Sequence, residues 1–317
     1  MKRVLVVYYS QTGQLRDIVR STVSPLVADP QVEVTTLELK PATPYPFPWP
    51  VGVFFNTFPE TVYEEVDPLQ PIDMPANTDF DLVILGYSVW FLSPSKPITA
   101  FLQSPEAKIL LAGKPVITLI GCRNMWLSAQ ERMKQQLSDL GARLIDNIVL
   151  TDSAHSAFTF ISTPAWMLTG KKGPFLGGTV PEAGVSQEDI AGCARFGRAI
   201  AAKLPTRAAD DTAPMLGGLG AVSIFEGLMD SEKVARKSFL IWGRLLRACG
   251  KPGAPLRGVV LGVYVLFLFT LICTVVPLLA VIKSLIKPLA RARIANQRAY
   301  YAQPSGEDRS LISGAAA

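Results

Sequence analysis

Four stretches hold the residue types that could do chemistry. The first is "YYSQTGQL", in which Ser10, Gln11, Thr12, Gly13, Gln14 and Leu15 separate a strand-like run from a helix-like one. Hydroxyls, amides and a glycine in a turn that opens a helix suit an anion. The first backbone N–H groups and the positive end of the helix dipole face the ligand there, and the glycine permits close approach to the backbone. The turn lacks the G-x-G-x-x-G of dinucleotide folds and the G-K-[ST] of a P-loop, so it suits a terminal monophosphate better than a pyrophosphate. The second stretch, "GYSVWFLSPSKPI", carries Ser88, Val89, Trp90 and Phe91. Its flat aromatics either stack on a flat heterocycle or belong to the core. The third, "IGCRNMW", brings Gly121, Cys122, Arg123, Asn124 and Trp126, and so a cation and an amide. The fourth, "TDSAHSAF", contains His155, the only histidine. An imidazole with a reference pKa of about 6.5 could donate a proton to a substrate oxygen at neutral pH. Alternatively it hydrogen-bonds a backbone group and positions its loop.

The elements around these stretches must bring them together. Apolar runs predict strands at 4–9, 32–38, 80–86, 115–120 and 144–151, short and continuous as in parallel strands buried on both faces. Helices are expected at 13–27, 96–104, 126–140 and 186–204, the last opened by Ser186 and Asp189 as a capping signal. Five strands alternating with helices predict an α/β fold with a doubly wound open parallel sheet. Ligands of such sheets sit beyond the carboxyl ends of the strands. That edge collects the loops Ser10–Leu15, Ser88–Pro97 and Gly121–Trp126, and His155 just after the fifth strand. Two stretches interrupt the alternation. "PATPYPFPWP" (41–50) runs as polyproline II, and with the aromatic 51–63 it replaces the helix expected between strands two and three. It is either a packed cover over one sheet face or a lid on the ligand. Residues 153–185 form a long loop at the same edge.

The totals point beyond one soluble domain. Of 317 residues, 49% are hydrophobic and only 18% charged, and the mean hydropathy of +0.28 implies a membrane segment added to a globular part. The net charge of +5 calls for an anionic partner, either nucleic acid or lipid headgroups. The basic residues cluster around the apolar segment, which favours lipid and argues against nucleic acid. The N-terminal apolar run is too short for a signal peptide, which places the N-terminal part in the cytosol. Cys122, Cys193, Cys249 and Cys273 have no metal-type spacing and read as reduced thiols, with no metal site. One histidine and no cysteine at a nucleophile turn are not the set that ketosynthase condensation needs.

The C-terminal third divides further. Residues 205–230 read as a linker by their Pro, Gly and Asp content. Residues 231–250 suit a helix capped by Ser231, with Val234, Phe239, Ile241, Trp242 and Leu245 opposite Lys233, Arg236, Lys237, Arg244 and Arg247. That pattern fits an interfacial helix lying in headgroups, or an ordinary surface helix docked on the domain. Residues 258–282 carry no charge and reach roughly 37 Å as a helix, against a hydrocarbon core of roughly 30 Å. Pro277 would kink a span or turn a re-entrant hairpin. Residues 283–317 begin basic, with Lys283, Lys287, Arg291 and Arg293, and end as a flexible tail. Lipid contact is thus expected over 231–293.

Taken together, "YYSQTGQL", "GYSVWFLSPSKPI" and "IGCRNMW", each after its own strand, resemble the flavodoxin-like superfamily, which includes flavodoxins and FMN-dependent quinone and flavin reductases. The resemblance covers residues 1–204. It implies strand order 2-1-3-4-5, FMN as cofactor, the first loop on its phosphate and the other two beside the isoalloxazine ring. Where that family often has Thr or Asn, this chain has Leu15. The middle loop is closer to the reductases than to the carriers. The "CRNMW" loop and the hydrophobic tail are similar to flavodoxin-like proteins named "dialkylresorcinol condensing enzyme" in dialkylresorcinol and aryl-polyene pathways. The resemblance implies a flavoprotein oxidoreductase tethered to the cytoplasmic (inner) membrane, its flavodoxin-like domain facing the cytosol. The substrate would be small and apolar or quinone-like. NAD(P)H is a possible electron donor, although no dinucleotide motif is visible. Arg123 would then favour the negative charge that a reduced flavin carries near N1 and the C2 carbonyl. Two alternatives remain: an electron carrier for a membrane redox partner, and a non-catalytic scaffold that kept the fold and lost the flavin.

Overall fold

The computed structural model describes residues 1–154, 156–275, 278 and 290–313. The chain begins with β1 (Lys2–Tyr8), which alternates its side chains between two cores: Val4 and Val6 enter one, Leu5 and Val7 the other. This is the two-sided burial that a parallel sheet imposes on every central strand. A first helix, α1 (Gln14–Val27), returns along one face with Leu15, Ile18, Val19, Val23 and Leu26 inward. It leads to β2 (Val32–Glu38), parallel to β1 with Val4 opposite Val34. The expected gap between the second and third strands holds a helix after all: α2 (Val51–Val62). The prolines stop at Pro50, its N-cap, where a missing N–H costs no helical bond. Pro59 lies inside the helix, and burial of Phe58, Thr61 and Val62 holds the turn around it.

Next come β3 (Leu82–Trp90) and the two-residue β4 (Ser93–Pro94), which folds back antiparallel on it. Two short helices, α3 (Lys96–Leu102) and α4 (Pro105–Leu111), precede β5 (Pro115–Cys122), and α5 (Leu127–Asp139) precedes β6 (Arg143–Thr151). The parallel strands stand in the order β2-β1-β3-β5-β6, so counting them alone gives 2-1-3-4-5 as expected. The stretch expected as a long loop after the last strand contains α6 (Ser156–Thr169), with Pro164 inside it. Two further helices, α7 (Gln187–Gly192) and α8 (Ala194–Lys203), close the second face. There Gly197 lets α8 lie on α1: a Cβ at that position would stand 2.0 Å from the Thr22 carbonyl oxygen.

The C-terminal third departs from the sequence reading. Residues 205–230 pack rather than link: Met215, Leu216 and Ala221 join one core, and Val222, Ile224 and Met229 join the other. The tie is Asp146 in β6, whose buried carboxylate accepts the Met215 and Leu216 N–H groups at 2.7 and 3.2 Å and the Ser305 hydroxyl at 2.8 Å. Burial raises its pKa and these three donors pull it back. The basic helix α9 (Glu226–Ala248) starts five residues earlier than expected, with Phe225 and not Ser231 at its N-cap. It docks on α2 and α5. Glu232, 1% exposed, points its carboxylate at the Ser128 N–H and so caps α5 from outside. Then α10 (Pro255–Thr270) continues as a π turn at Leu271–Val275. Pro255–Val275 is long and apolar enough to cross a membrane, with a mean hydropathy of 2.5. Past the undescribed stretch, α11 (Arg291–Ala302) and α12 (Ser310–Ser313) lie against the globular unit: Ala302 is in its core and Leu311 N–H donates to the Gly218 carbonyl at 3.0 Å. The tail expected as flexible is therefore structured as far as Ser313.

Candidate functional site

The turn after β1 has the features of an anion cradle. Gly13 takes the left-handed conformation, φ 85°, at the N-cap of α1 and has no side chain to cap the helix. The Asp17 N–H returns to the Gly13 carbonyl at 3.1 Å and the Arg16 N–H reaches Ser10 Oγ at 3.2 Å. A helix start leaves its other first amides without intrahelical acceptors. Among the described residues the Thr12 side chain has no hydrogen-bond partner and is half-exposed. Arg16, which sequence reasoning passed over, bends back over this turn: its Nη2 lies 3.2 Å from where a Gly13 Cβ would be. Its Nε is buried without a partner. One turn thus holds two hydroxyls, helix-start amides and a guanidinium folded back over it.

The two glutamines of the turn do other work. The Gln14 amide pairs both ways with the Val185 backbone at 3.2 Å. Gln11 donates to the Pro46 carbonyl at 2.8 Å and accepts the Trp49 indole N–H at 3.3 Å. Each glutamine thus pins one of the two insertions to the turn. Leu15 is a core residue, 4% exposed.

The second loop carries backbone strain. Phe91 and Leu92 both have positive φ, 48° and 60°, which non-glycine residues rarely adopt and which clusters at functional sites. The sharp reversal sends consecutive aromatics to opposite sides. Trp90 meets Tyr9, Tyr45 and Trp49 edge-on, with centroids 6.1, 4.9 and 5.6 Å away. Phe91 instead packs on Phe54, Phe58 and Phe239. Val89 packs on the core, and the Ser88 carbonyl accepts the Ser95 N–H. Tyr45 is held from behind: its hydroxyl donates to Asp67 at 2.6 Å, and buried Lys96 pairs with the same carboxylate at 2.8 Å. Desolvation pushes the Asp67 pKa up, but these two partners outweigh it and leave it lowered.

In the third loop, Gly121 lets β5 approach α1, since a Cβ there would meet Ile18 and Leu15 at 3.2 and 3.3 Å. Burial raises the pKa of the Cys122 thiol far above its usual range, which disfavours the thiolate. Trp126, 1% exposed, packs in the core at the start of α5, and Asn124 is 5% exposed. Arg123 lies beneath α6. Its Nε donates to Thr159 Oγ1 at 2.8 Å, and its guanidinium covers the Phe160 ring at 4.0 Å. Burial lowers its pKa to about 10, partly countered by Asp152. Asp152 is a second residue missed from sequence. It accepts from the Ala154 N–H, the Gly184 N–H and Thr163 Oγ1, and so organises the whole 153–185 insertion. His155 lies outside the described residues.

The two insertions clasp over the strand ends. The Trp49 N–H donates to the Met167 carbonyl at 2.8 Å, and Phe47 meets Trp166 at 6.1 Å. For FMN, the expected cofactor, the fit differs at the two ends. The phosphate end fits, because the Thr12 hydroxyl, the helix-start amides and the Arg16 guanidinium lie within the same turn. At the ring end, a flat heterocycle against Trp90 would take the place that Tyr45 and Trp49 now hold.

No family model matches the chain, and no curated protein matches it. Solved structures do. A flavoprotein from Lactobacillus acidophilus NCFM in complex with FMN is 16% identical, with 46% of this chain and 92% of that one covered and a TM-score of 0.37. A flavodoxin, WrbA-like protein from Agrobacterium tumefaciens is 12% identical over 66% of this chain and 100% of that one, TM-score 0.36. A flavodoxin from the domain Archaea is 12% identical over 64% and 99%, TM-score 0.35. The strand order and the helices on both sheet faces make the fold flavodoxin-like.

Proposed function

We propose that the chain is an FMN-dependent oxidoreductase held at a membrane and acting on a small apolar, quinone-like substrate. The observation that carries this reading is the anion cradle at Ser10–Gly13 with Arg16 over it, next to an aromatic wall at the same strand edge. FMN, when bound, supplies the redox chemistry. The Ser10 and Thr12 hydroxyls would hold its phosphate and Arg16 would neutralise it. Trp90 would face the ring once Tyr45 and Trp49 move aside from it. Arg123 and the Asp152 network would keep the α6 cover in place and water out.

An apolar substrate is supported by a row of aromatic rings that leads away from this edge. Trp90, Trp49, Phe54, Phe91, Phe58 and Tyr264 follow one another at 4.6–5.9 Å between centroids and end on α10. A molecule of the aryl-lipid class, as in dialkylresorcinol or aryl-polyene pathways, would suit a site beside that packed row, and NAD(P)H would serve as donor. The globular unit would then sit on the cytosolic side of the cytoplasmic membrane. The filled ring position favours a second reading, a scaffold that kept the fold and released the flavin. Loading purified full-length protein with FMN, reducing it with NAD(P)H and adding a short-chain quinone tests both. Quinone-dependent turnover supports the oxidoreductase. A bound flavin that no quinone reoxidises points to an electron carrier, and protein that retains no FMN points to the scaffold.

A further inference from the structure

The apolar helix α10 is docked along the globular unit. One face of it, Arg257, Leu261, Tyr264 and Leu268, repeats at four, three and four residues and packs on α2 and α9. Arg257, 1% exposed, forms a two-pronged ion pair with Glu60, 2.7 Å at each contact. It also donates to the Asn56 side chain and carbonyl at 2.9 Å. The Tyr264 ring lies 4.6 Å from Phe58 and 5.3 Å from Trp242. This seam runs for about 17 Å at 1.5 Å per residue, three turns of helix. The seam holds one face of the apolar helix against the globular unit.

The opposite face of α10 is exposed and free of charge: Leu256, Val259, Val263 and Leu266 are 54–70% accessible. On the adjoining α9, Val234, Ile241 and Leu245 are 62%, 70% and 46% accessible, among the exposed cations Lys233, Lys237 and Arg244. The chain beyond the apolar segment comes back to the same unit. Arg293 pairs with Asp230, Arg298 with Glu226, the Tyr300 hydroxyl donates to Glu131 at 2.8 Å, and Ser305 is bonded to buried Asp146. A single span would place these contacts on opposite sides of a membrane.

Resting on the membrane-held reading above, we infer that the protein is monotopic. The outer faces of α9 and α10 lie in one leaflet of an anionic bilayer, and the segments before residue 255 and after residue 290 stay on the same side. Apolar side chains enter the acyl boundary while lysine and arginine meet the lipid phosphates. A second copy of the chain fits this face less well, because a two-fold axis would bring its cations against cations.

The test uses the full chain with one epitope before Met1 and another after Ala317, in sealed membrane vesicles of both orientations. Protease added outside should remove both epitopes in one orientation and neither in the other. Removal of one epitope in each orientation means a crossing and overturns the inference while leaving the membrane reading intact. Flotation with phosphatidylcholine–phosphatidylglycerol vesicles gives the second arm. The double variant I241D/L245D should bind at least about tenfold more weakly, from the burial lost at two aliphatic side chains, with unchanged circular dichroism. K237E should weaken binding to these vesicles and not to pure phosphatidylcholine. Wild-type affinity in I241D/L245D overturns the assigned face. Wild-type protein that does not float, or floats only as a concentration-dependent dimer, removes the membrane reading and this inference with it.

Discussion

Arg16 and Glu232 are two charged side chains whose roles depend on where the fold sends them. Arg16 sits in the first turn of α1, where a sequence reads only a surface cation; its return over Gly13 is set by its side-chain conformation, which no sequence pattern reports. The hydroxyls Ser10 and Thr12 stand out in the sequence as a candidate anion site because their position after the first strand and before a helix is itself the signal. Gln11 and Gln14 looked like further donors. Their partners, Pro46 and Val185, lie 35 and 171 residues away, and no local pattern reports such pairs. Likewise Arg123 was legible as a loop cation, but not as the support of α6. Glu232 gives a pH signature. Burial raises its pKa, opposed by the α5 amides it caps. The folded state therefore holds this proton more tightly than the unfolded chain. Its contribution to stability is fully present below the unfolded value of about 4.3 and is lost as pH rises through the folded one. Glu232→Gln keeps the acceptor without the titration. In urea unfolding from pH ~4 to pH ~7, the stability difference should move steadily in the variant's favour. A difference independent of pH would show that Glu232 does not titrate as a buried acid.

At the scale of elements, the five parallel strands and the crossover helices α1, α3 and α5 were legible, the strands because burial on both faces leaves continuous apolar runs. The helices α2 and α6 were hidden by prolines. "PATPYPFPWP" obscures the start of α2, and Pro59 and Pro164 lie within helices that packing stabilises against their intrinsic cost. Those same two insertions now form the clasp over the strand ends, so the least regular sequence is nearest the candidate site. The α1–α8 contact makes a sharper claim. Replacing Gly197 with Ala would improve helix propensity by about 1 kcal/mol, yet the added methyl would overlap the Thr22 carbonyl oxygen and Pro25. Overlap should win. Gly197→Ala is expected to lose about 1–3 kcal/mol or more in denaturant unfolding, and a neutral or stabilised variant would mean that the two helices are not so close.

For the whole molecule, the C-terminal third is part of the fold. Composition read 205–230 as a linker because glycine, proline and aspartate dominate it. Met215, Leu216, Val222, Ile224 and Met229 within it are nonetheless buried in the two cores. A chain ending at Leu204 would expose them and leave Asp146 without its three donors. At about 1.5–3 kcal/mol for each large apolar side chain, the loss rivals a typical total stability of about 5–15 kcal/mol. That truncation should be insoluble or molten by near-ultraviolet circular dichroism, and a cooperative, soluble fragment would show that the tail is an appendage. The central claim, that the Ser10–Arg16 turn holds the phosphate of FMN at the edge of a flavodoxin-like sheet, is tested most directly by fluorescence titration of FMN. The proteins to compare are wild type, Trp49→Ala to loosen the clasp, and the double variant T12A/R16A. Loss of hydrogen bonds to a charged acceptor, at about 1.5–3 kcal/mol each, predicts saturable quenching by wild type, at least as tight binding by Trp49→Ala, and affinity at least about tenfold weaker in T12A/R16A. Equal affinity in T12A/R16A, or no binding by either wild type or Trp49→Ala, would contradict it.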